Sequence, residues 1–368
     1  MTQFNDRLAK LVVNYSLGVK VGDRVAIQSP AIAEDLCSAL YKEIIIAGGY
    51  VTLQIGLPGI QEILFEYGND NQLKHISELT KFVYEKFEHI ITIDATYNSR
   101  SLELIDPKKK QLRNSTPENA ALMQTFMKRL ESKELHWIGI PYPCFSKAQD
   151  AGMGIHAYKK FISKALNIDK EDPIAYWRQV QKDQNRLIQI LDETNKIKVF
   201  GEDTELSLSV KGRKWINCSG QNNLPDGEVF TGPIEDSING HIRFTYPGIF
   251  QGQEIENIYL EFKDGKVIKA TAEKGQKLLD SILEIDGANG IGEFAIGTNY
   301  NITKFTKNML FDEKIGGTMH MALGMGIPES GSLSKSAIHW DILKDMNSED
   351  SRIEADGKII YQAGQWKI

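Results

Sequence analysis

His339 and Asp341 stand two residues apart in Ala337-Ile338-His339-Trp340-Asp341. In an extended segment, residues two apart point to the same face. An imidazole and a carboxylate could therefore reach one cation while Trp340 turns the other way into packing. That donor pair suits zinc, cobalt, manganese or iron. Taken alone, it reads as a hydrogen-bonded pair on the surface. Upstream, His320 follows two glycines in Glu313-Lys314-Ile315-Gly316-Gly317-Thr318-Met319-His320. Such glycines let backbone approach a bound group closely, or they only turn the chain. A histidine in a loop of this kind is expected to be exposed rather than buried in a core.

Two glutamates have similar glycine-flanked settings. Glu228 lies in Asp226-Gly227-Glu228-Val229-Phe230-Thr231-Gly232-Pro233, and Glu293 in Gly290-Ile291-Gly292-Glu293-Phe294-Ala295-Ile296-Gly297-Thr298-Asn299. Glu293 is an acid inside an apolar run, costly to bury unless a cation sits beside it. The alternative is a solvent-facing residue on a strand. Three carboxylates and two imidazoles in one half of the chain are the inventory of a two-metal hydrolytic site. Whether they converge is a question of folding.

The elements that must position them differ between the two halves. In the first, Arg24-Val25-Ala26-Ile27-Gln28 reads as a strand and Ala31 to Ala47 as a helix, ended by Gly48-Gly49. Tyr50 to Ile55 is a second strand. A helical stretch from Asn71 to His89 leads to a third strand at Ile90 to Ile93. A helix over Pro117 to Lys133 precedes a fourth at His136 to Ile140. Strands separated by helices read as βαβ units with a mainly parallel sheet. Ile155 to Asn195 reads as helical throughout, with Trp177, Val180, Leu187 and Leu191 as a packed face. After about residue 196 the texture changes. Thr204 to Val210 alternates with period two, Glu256 to Lys269 reads as a hairpin broken at Asp264-Gly265, and glycine turns are frequent. The expected fold class is α/β: an N-terminal, mainly parallel βαβ domain over residues 1–195, then a strand-rich α+β metal-binding domain over 196–368. No dinucleotide or phosphate-loop fingerprint is present.

The 368 residues carry a formal net charge of -6, with 41% hydrophobic and 25% charged residues. This mild acidity argues against nucleic acid or an anionic membrane as the main partner, since both demand a basic patch. The N-terminus, Met1 to Arg7, has no basic region followed by an apolar stretch, so no secretory signal is read there. No apolar run reaches a membrane span. Cys37, Cys144 and Cys218 are scattered, which suggests neither a thiolate zinc site nor a disulfide framework, and reduced cysteines point to a cytoplasmic protein.

The same segments resemble a known family. Gly227 to Thr231, Gly292 to Asn299, Gly316 to Gly324 and Ile338 to Asp341, in that order, are similar to motifs of the thermophilic aminopeptidase family of metallopeptidases, the aminopeptidase T and aminopeptidase S group. Leu11 to Gly56 resembles the family with less distinctive residues. The resemblance implies that Glu228, Glu293, His320, His339 and Asp341 are metal ligands. It further implies two divalent metal ions per chain (zinc, cobalt or magnesium), peptide substrates with a free N-terminus, and a homodimer. In such a mechanism Glu293 is the expected general base, and Glu313 is either a further ligand or a carboxylate that orients His320. One departure stands out. The family pattern has a tyrosine seven residues after the first ligand histidine, where this chain has Ile327. Isoleucine cannot donate to a developing oxyanion, and loss of one such donor can cost on the order of 100-fold in rate. Two other functions therefore stay open. His320, His339 and Asp341 alone would satisfy a mononuclear iron(II) ring-cleaving dioxygenase, and a non-catalytic peptide-binding or metal-binding homologue needs no turnover at all.

Overall fold

Val25, Ala26 and Ile27 form the continuous apolar run that a strand covered on both faces requires, and all three are fully buried. They open the sheet of the first of two compact units. The computed structural model describes residues 2–114 and 116–368; Met1, at the head of the stretch read for a secretory signal, and Ser115 lie outside the described residues. One unit comprises Met1–Ile174 with Gly220–Pro225, the other Ala175–Ser219 with Asp226–Ile368. Among the described residues no helix is long and apolar enough to cross a membrane.

The first unit holds β1 (Arg24–Pro30), β2 (Tyr50–Gly56), β3 (His89–Asp94) and β4 (His136–Pro141) in one sheet of order β2-β1-β3-β4. All its pairings are parallel, as the alternation of strand and helix predicts. The helix Glu34–Ile46 ends at Gly48, whose φ of +87° is the left-handed conformation that a helix C-terminus favours. Two helical stretches are more broken than their periodicity suggests. Asn71 to His89 resolves into Asp70–Lys74 and Glu78–Lys86, with Ser77 capping the second through a bond from the Leu79 N–H. Ile155 to Asn195 resolves into Ile155–Ala165, followed by Asn167 in the left-handed conformation that closes a helix, and Pro173–Leu191, which Pro173 opens.

The second unit carries β5 (Lys196–Gly201), β6 (Thr204–Ser209), β7 (Ile216–Cys218), β8 (Glu228–Thr231), β9 (Asn239–Arg243), β10 (Gly248–Phe250), β11 (Gln253–Ile255), β12 (Tyr259–Lys263) and β13 (Lys266–Thr271). These are followed by β14 (Ile291–Gly297), β15 (Thr318–Gly324), β16 (His339–Asp345), β17 (Arg352–Ala355), β18 (Lys358–Gln362) and β19 (Gln365–Trp366). An eight-stranded sheet runs β13-β12-β9-β6-β5-β17-β18-β19, and a five-stranded sheet runs β16-β15-β14-β8-β7. Both are antiparallel throughout. β12 and β13 are the hairpin turned at Asp264-Gly265. Trp177 and Leu191 of the helix Pro173–Leu191 are buried, as its apolar spacing predicts. The mixed α/β class expected from sequence is thus present, with a parallel sheet first and a strand-rich antiparallel part after it.

Candidate metal centre

Glu228, Glu293, His320, His339 and Asp341 lie on four adjacent strands of the five-stranded sheet, in the order β8, β14, β15, β16. Register places them on one face. Glu293 stands opposite Ala322, and Ala322 opposite Asp341. His320 is two residues from Ala322, and His339 two from Asp341, so both keep that face. Glu228 stands opposite Gly297, four residues along β14 from Glu293. The residues between them, Val229, Phe294, Ile296, Met319, Met321, Leu323, Trp340 and Ile342, point the other way and join one apolar core. The same-face neighbours Ala295, Gly297, Ala322 and Gly324 have little or no side chain, which leaves space between the donor groups.

A β-bulge is what turns Glu293 to this side. Ile291 pairs with Leu323 and Glu293 with Ala322, so two steps on β14 match one on β15. On a regular strand Ile291 and Glu293 would share the core face; the extra residue, Gly292, sends Ile291 into the core and Glu293 to the opposite side. Only glycine fits there, because a Cβ on Gly292 would meet the Met325 carbonyl oxygen at 2.3 Å.

The geometry at the centre is close. Nε2 of His320 lies 3.4 Å from Oε2 of Glu228, 3.4 Å from Oε1 of Glu293 and 4.0 Å from Oδ1 of Asp341. Nε2 of His339 lies 3.4 Å from Oδ1 of Asp341 and 3.6 Å from Oε2 of Glu293. Nδ1 of His339 is 2.7 Å from the Met325 carbonyl oxygen, to which it can only donate, so Nε2 is the atom left to face the carboxylates. His320 is fully buried, and Glu228 and Glu293 are each 3% exposed. The loop expectation for His320 is therefore corrected: it sits within β15 between two paired strands. Gly316 and Gly317 turn the chain into β15, Gly317 at φ +92°, and are closely packed there, since a Cβ would press on the Tyr300 ring at 2.5 Å or on the Asn347 amide at 2.6 Å. Burial likewise removes the solvent-facing alternative for Glu293.

Burial raises Glu293, against the pull of His320. It also pushes Glu313 up to about 8, with the Lys314 ammonium opposing it. For Asp341 the same burial is overcome by His339, His320 and Lys314, which hold the carboxyl at about 2. Burial would lower both imidazoles, but the surrounding carboxylates win and raise His320 to about 9 and His339 to about 10. So much buried negative charge, held by partners at such distances, is poorly satisfied by protein alone. Among the described residues, Oε2 of Glu228, Oε2 of Glu293, Oδ1 of Asp341 and Nδ1 of His320 are buried without a hydrogen-bond partner. A cation fits where a hydrogen bond does not. Two donors each about 2.1 Å from a tetrahedral ion stand about 3.4 Å apart, which matches the separations of 3.4 to 3.6 Å among Glu228, Glu293, His320, His339 and Asp341. Glu228, Glu293 and His320 form one donor group, and Glu293, His339 and Asp341 a second that shares Glu293.

Three neighbours escaped the sequence reading. Lys314 is 2% exposed, and its ammonium donates to Glu228 and pairs with Glu313, with Asp226 also near. Cys218 and Asp226 lie beside Glu228. A lysine inside the glycine-flanked segment Glu313 to His320 was the available signal for the first; nothing in the spacing of Cys218 announced its place. Glu313 itself sits within 4.8 Å of ligating atoms of His320 and Asp341. Ile327 is half-buried just beyond Met325, and its carbonyl accepts from the Ser330 hydroxyl at 2.7 Å.

Comparison with known proteins agrees with this chemistry. The family described as thermophilic metalloprotease (M29) matches residues 2–366. Aminopeptidase 2 of Geobacillus stearothermophilus is 26% identical, over 98% of this chain and 97% of the relative. Aminopeptidase PepS of Streptococcus thermophilus is 22% identical, over 99% of this chain and 98% of the relative. The solved structure of wild-type AmpT from Thermus thermophilus has the same fold, with a TM-score of 0.85 at 20% identity, covering 100% of this chain and 99% of that one.

Proposed function

The chain belongs to the thermophilic metalloprotease (M29) family, and on that premise we propose that it is an aminopeptidase working with two divalent cations, zinc, cobalt or magnesium, held by Glu228, Glu293, His320, His339 and Asp341. The observation that carries this reading is the pair of donor groups, buried but for His339, that share Glu293 on one face of the sheet. The names of the relatives support the exopeptidase half of it. Bound there, divalent cations would supply Lewis-acid polarisation of the first peptide carbonyl and would lower the pKa of a coordinated water toward neutrality.

This chain's residues do the rest. Glu293, between the two imidazoles, would take a proton from the attacking water and return it to the leaving amine. Met325 holds His339 in one ring orientation through its carbonyl. Two carboxylates beyond His320, His339 and Asp341 favour the hydrolytic reading over an iron(II) ring-cleaving one, which does not need them. A homodimer in the cytoplasm belongs to the same proposal and rests on the family resemblance and the reduced cysteines.

The test uses amino-acid anilides with free and with acetylated α-amino groups. Chelated protein is expected to be inactive and to recover with added zinc or cobalt, cleaving only the free-amino substrates, with two ions per chain by elemental analysis. Equal cleavage of acetylated substrates would sink the aminopeptidase assignment. One iron per chain and oxygen uptake would replace it with the dioxygenase.

A further inference from the structure

Lys314 has a defined place beside the centre. It follows the short helix Met309–Asp312 and precedes β15. Its backbone is held at both ends: the N–H donates to the Phe311 carbonyl at 3.1 Å, and its own carbonyl accepts from the Asn299 N–H at 3.0 Å. The side chain runs inward. Its ammonium donates to Oε1 of Glu228 and is ion-paired with Oε1 of Glu313 at 2.6 Å, with Oδ1 of Asp226 at 3.9 Å. The other oxygen of Glu228, Oε2, is the one that faces His320 and lacks a hydrogen-bond partner among the described residues.

We propose that Lys314 is the positioning residue of this centre: it ties the outer oxygens of Glu228 and Glu313, so that each carboxylate is left one oxygen to offer the cluster of Glu293, His320, His339 and Asp341. The inference rests on the metal reading above. Charge is consistent with it. Asp226, Glu228, Glu293, Glu313 and Asp341 bring five negative charges when ionised, Lys314 offsets one, and two divalent cations would offset the other four. Without the ammonium, Glu228 is free to swing and to ligate through both oxygens.

Metal-free wild type and Lys314→Met are titrated with cobalt(II) and followed by the visible absorption of the bound ion. The variant is expected to bind cobalt about 10–100-fold more weakly, the usual cost of losing an outer-shell partner, and to show a band of changed intensity because the coordination number has changed. Lys314→Arg, which keeps a cation against the same carboxylates, is expected to bind within about tenfold of wild type and to restore the spectrum. Tighter cobalt binding by Lys314→Met, the result of removing charge alone, overturns the proposal, and so does an unchanged titration and spectrum. If Lys314→Met does not fold even with excess cobalt, Lys314→Arg decides: a wild-type spectrum supports the role, and a folded variant with an altered spectrum overturns it. No cobalt uptake by wild type sinks the metal reading and this inference with it; wild-type uptake with an indifferent Lys314→Met sinks only the role of Lys314.

Discussion

Glu293 lies 3.4 Å from one imidazole through Oε1 and 3.6 Å from the other through Oε2, at 3% exposure. A carboxylate in that place has opposite effects on folding and on function. In the metal-free protein its charge is buried with incomplete hydrogen bonding, which destabilises. With cations present the same charge is what the centre needs. Glu293→Gln keeps the shape and removes the charge. The variant is expected to lose about 100-fold or more in hydrolysis of amino-acid anilides, on the scale of a missing general base. Its metal-free melting temperature should be no lower than that of metal-free wild type, since the lost charge was unfavourable there. Turnover at the wild-type level would remove Glu293 from the role. A marked fall in metal-free stability would show that its charge is well paired by protein groups.

At the scale of elements, one bulge and one carbonyl set the face that carries the proposed ligands. Gly292 is the extra residue that turns Glu293 out of the core, and it packs directly beneath the Met325 carbonyl, which in turn accepts from Nδ1 of His339. A methyl group on residue 292 would stand 2.3 Å from that oxygen, inside any tolerable contact. Gly292→Ala must therefore displace the Met325 carbonyl, the bulge, or both, and with them His339 and Glu293. Loss of cobalt affinity by about 10–100-fold is expected, with a visible spectrum unlike that of wild type. If Gly292→Ala binds cobalt as wild type does, the link from bulge to imidazole is wrong.

At the scale of the molecule, the five proposed ligands all belong to the second unit, on β8, β14, β15 and β16, while β1 to β4 belong to the first. A ligand that binds only the folded state stabilises whatever must unfold to release it, by about 2.7 kcal/mol at a hundred times its dissociation constant. Hydrogen exchange with and without zinc at that excess separates the units. Amides of β8, β14, β15 and β16 are expected to gain protection up to that limit for each ion bound, and those of β1 to β4 to stay as they were. Equal gains in β1 to β4 would mean that cations bind elsewhere or that the two units unfold as one. The parallel sheet of the first unit was legible because strands alternate with helical stretches. The breaks in those helices were less so, since a capping serine or one left-handed asparagine outweighs a periodic apolar face.

By itself the sequence determined the chemistry on offer: which imidazoles and carboxylates the second half contains, their two-residue spacing at His339 and Asp341, and the glycines beside Glu228 and Glu293. It also carried the family, through four short motifs in order. The tertiary structure decided which face each residue takes and which cation already stands among them. Periodicity along one strand assigns Ile291 and Glu293 to the same side, and only the pairing of β14 with β15 reveals the bulge that separates them. Lys314 joins Glu228 across 86 residues of chain. No local pattern encodes a contact of that span, because it exists only once the sheet has brought β8 and the segment before β15 together.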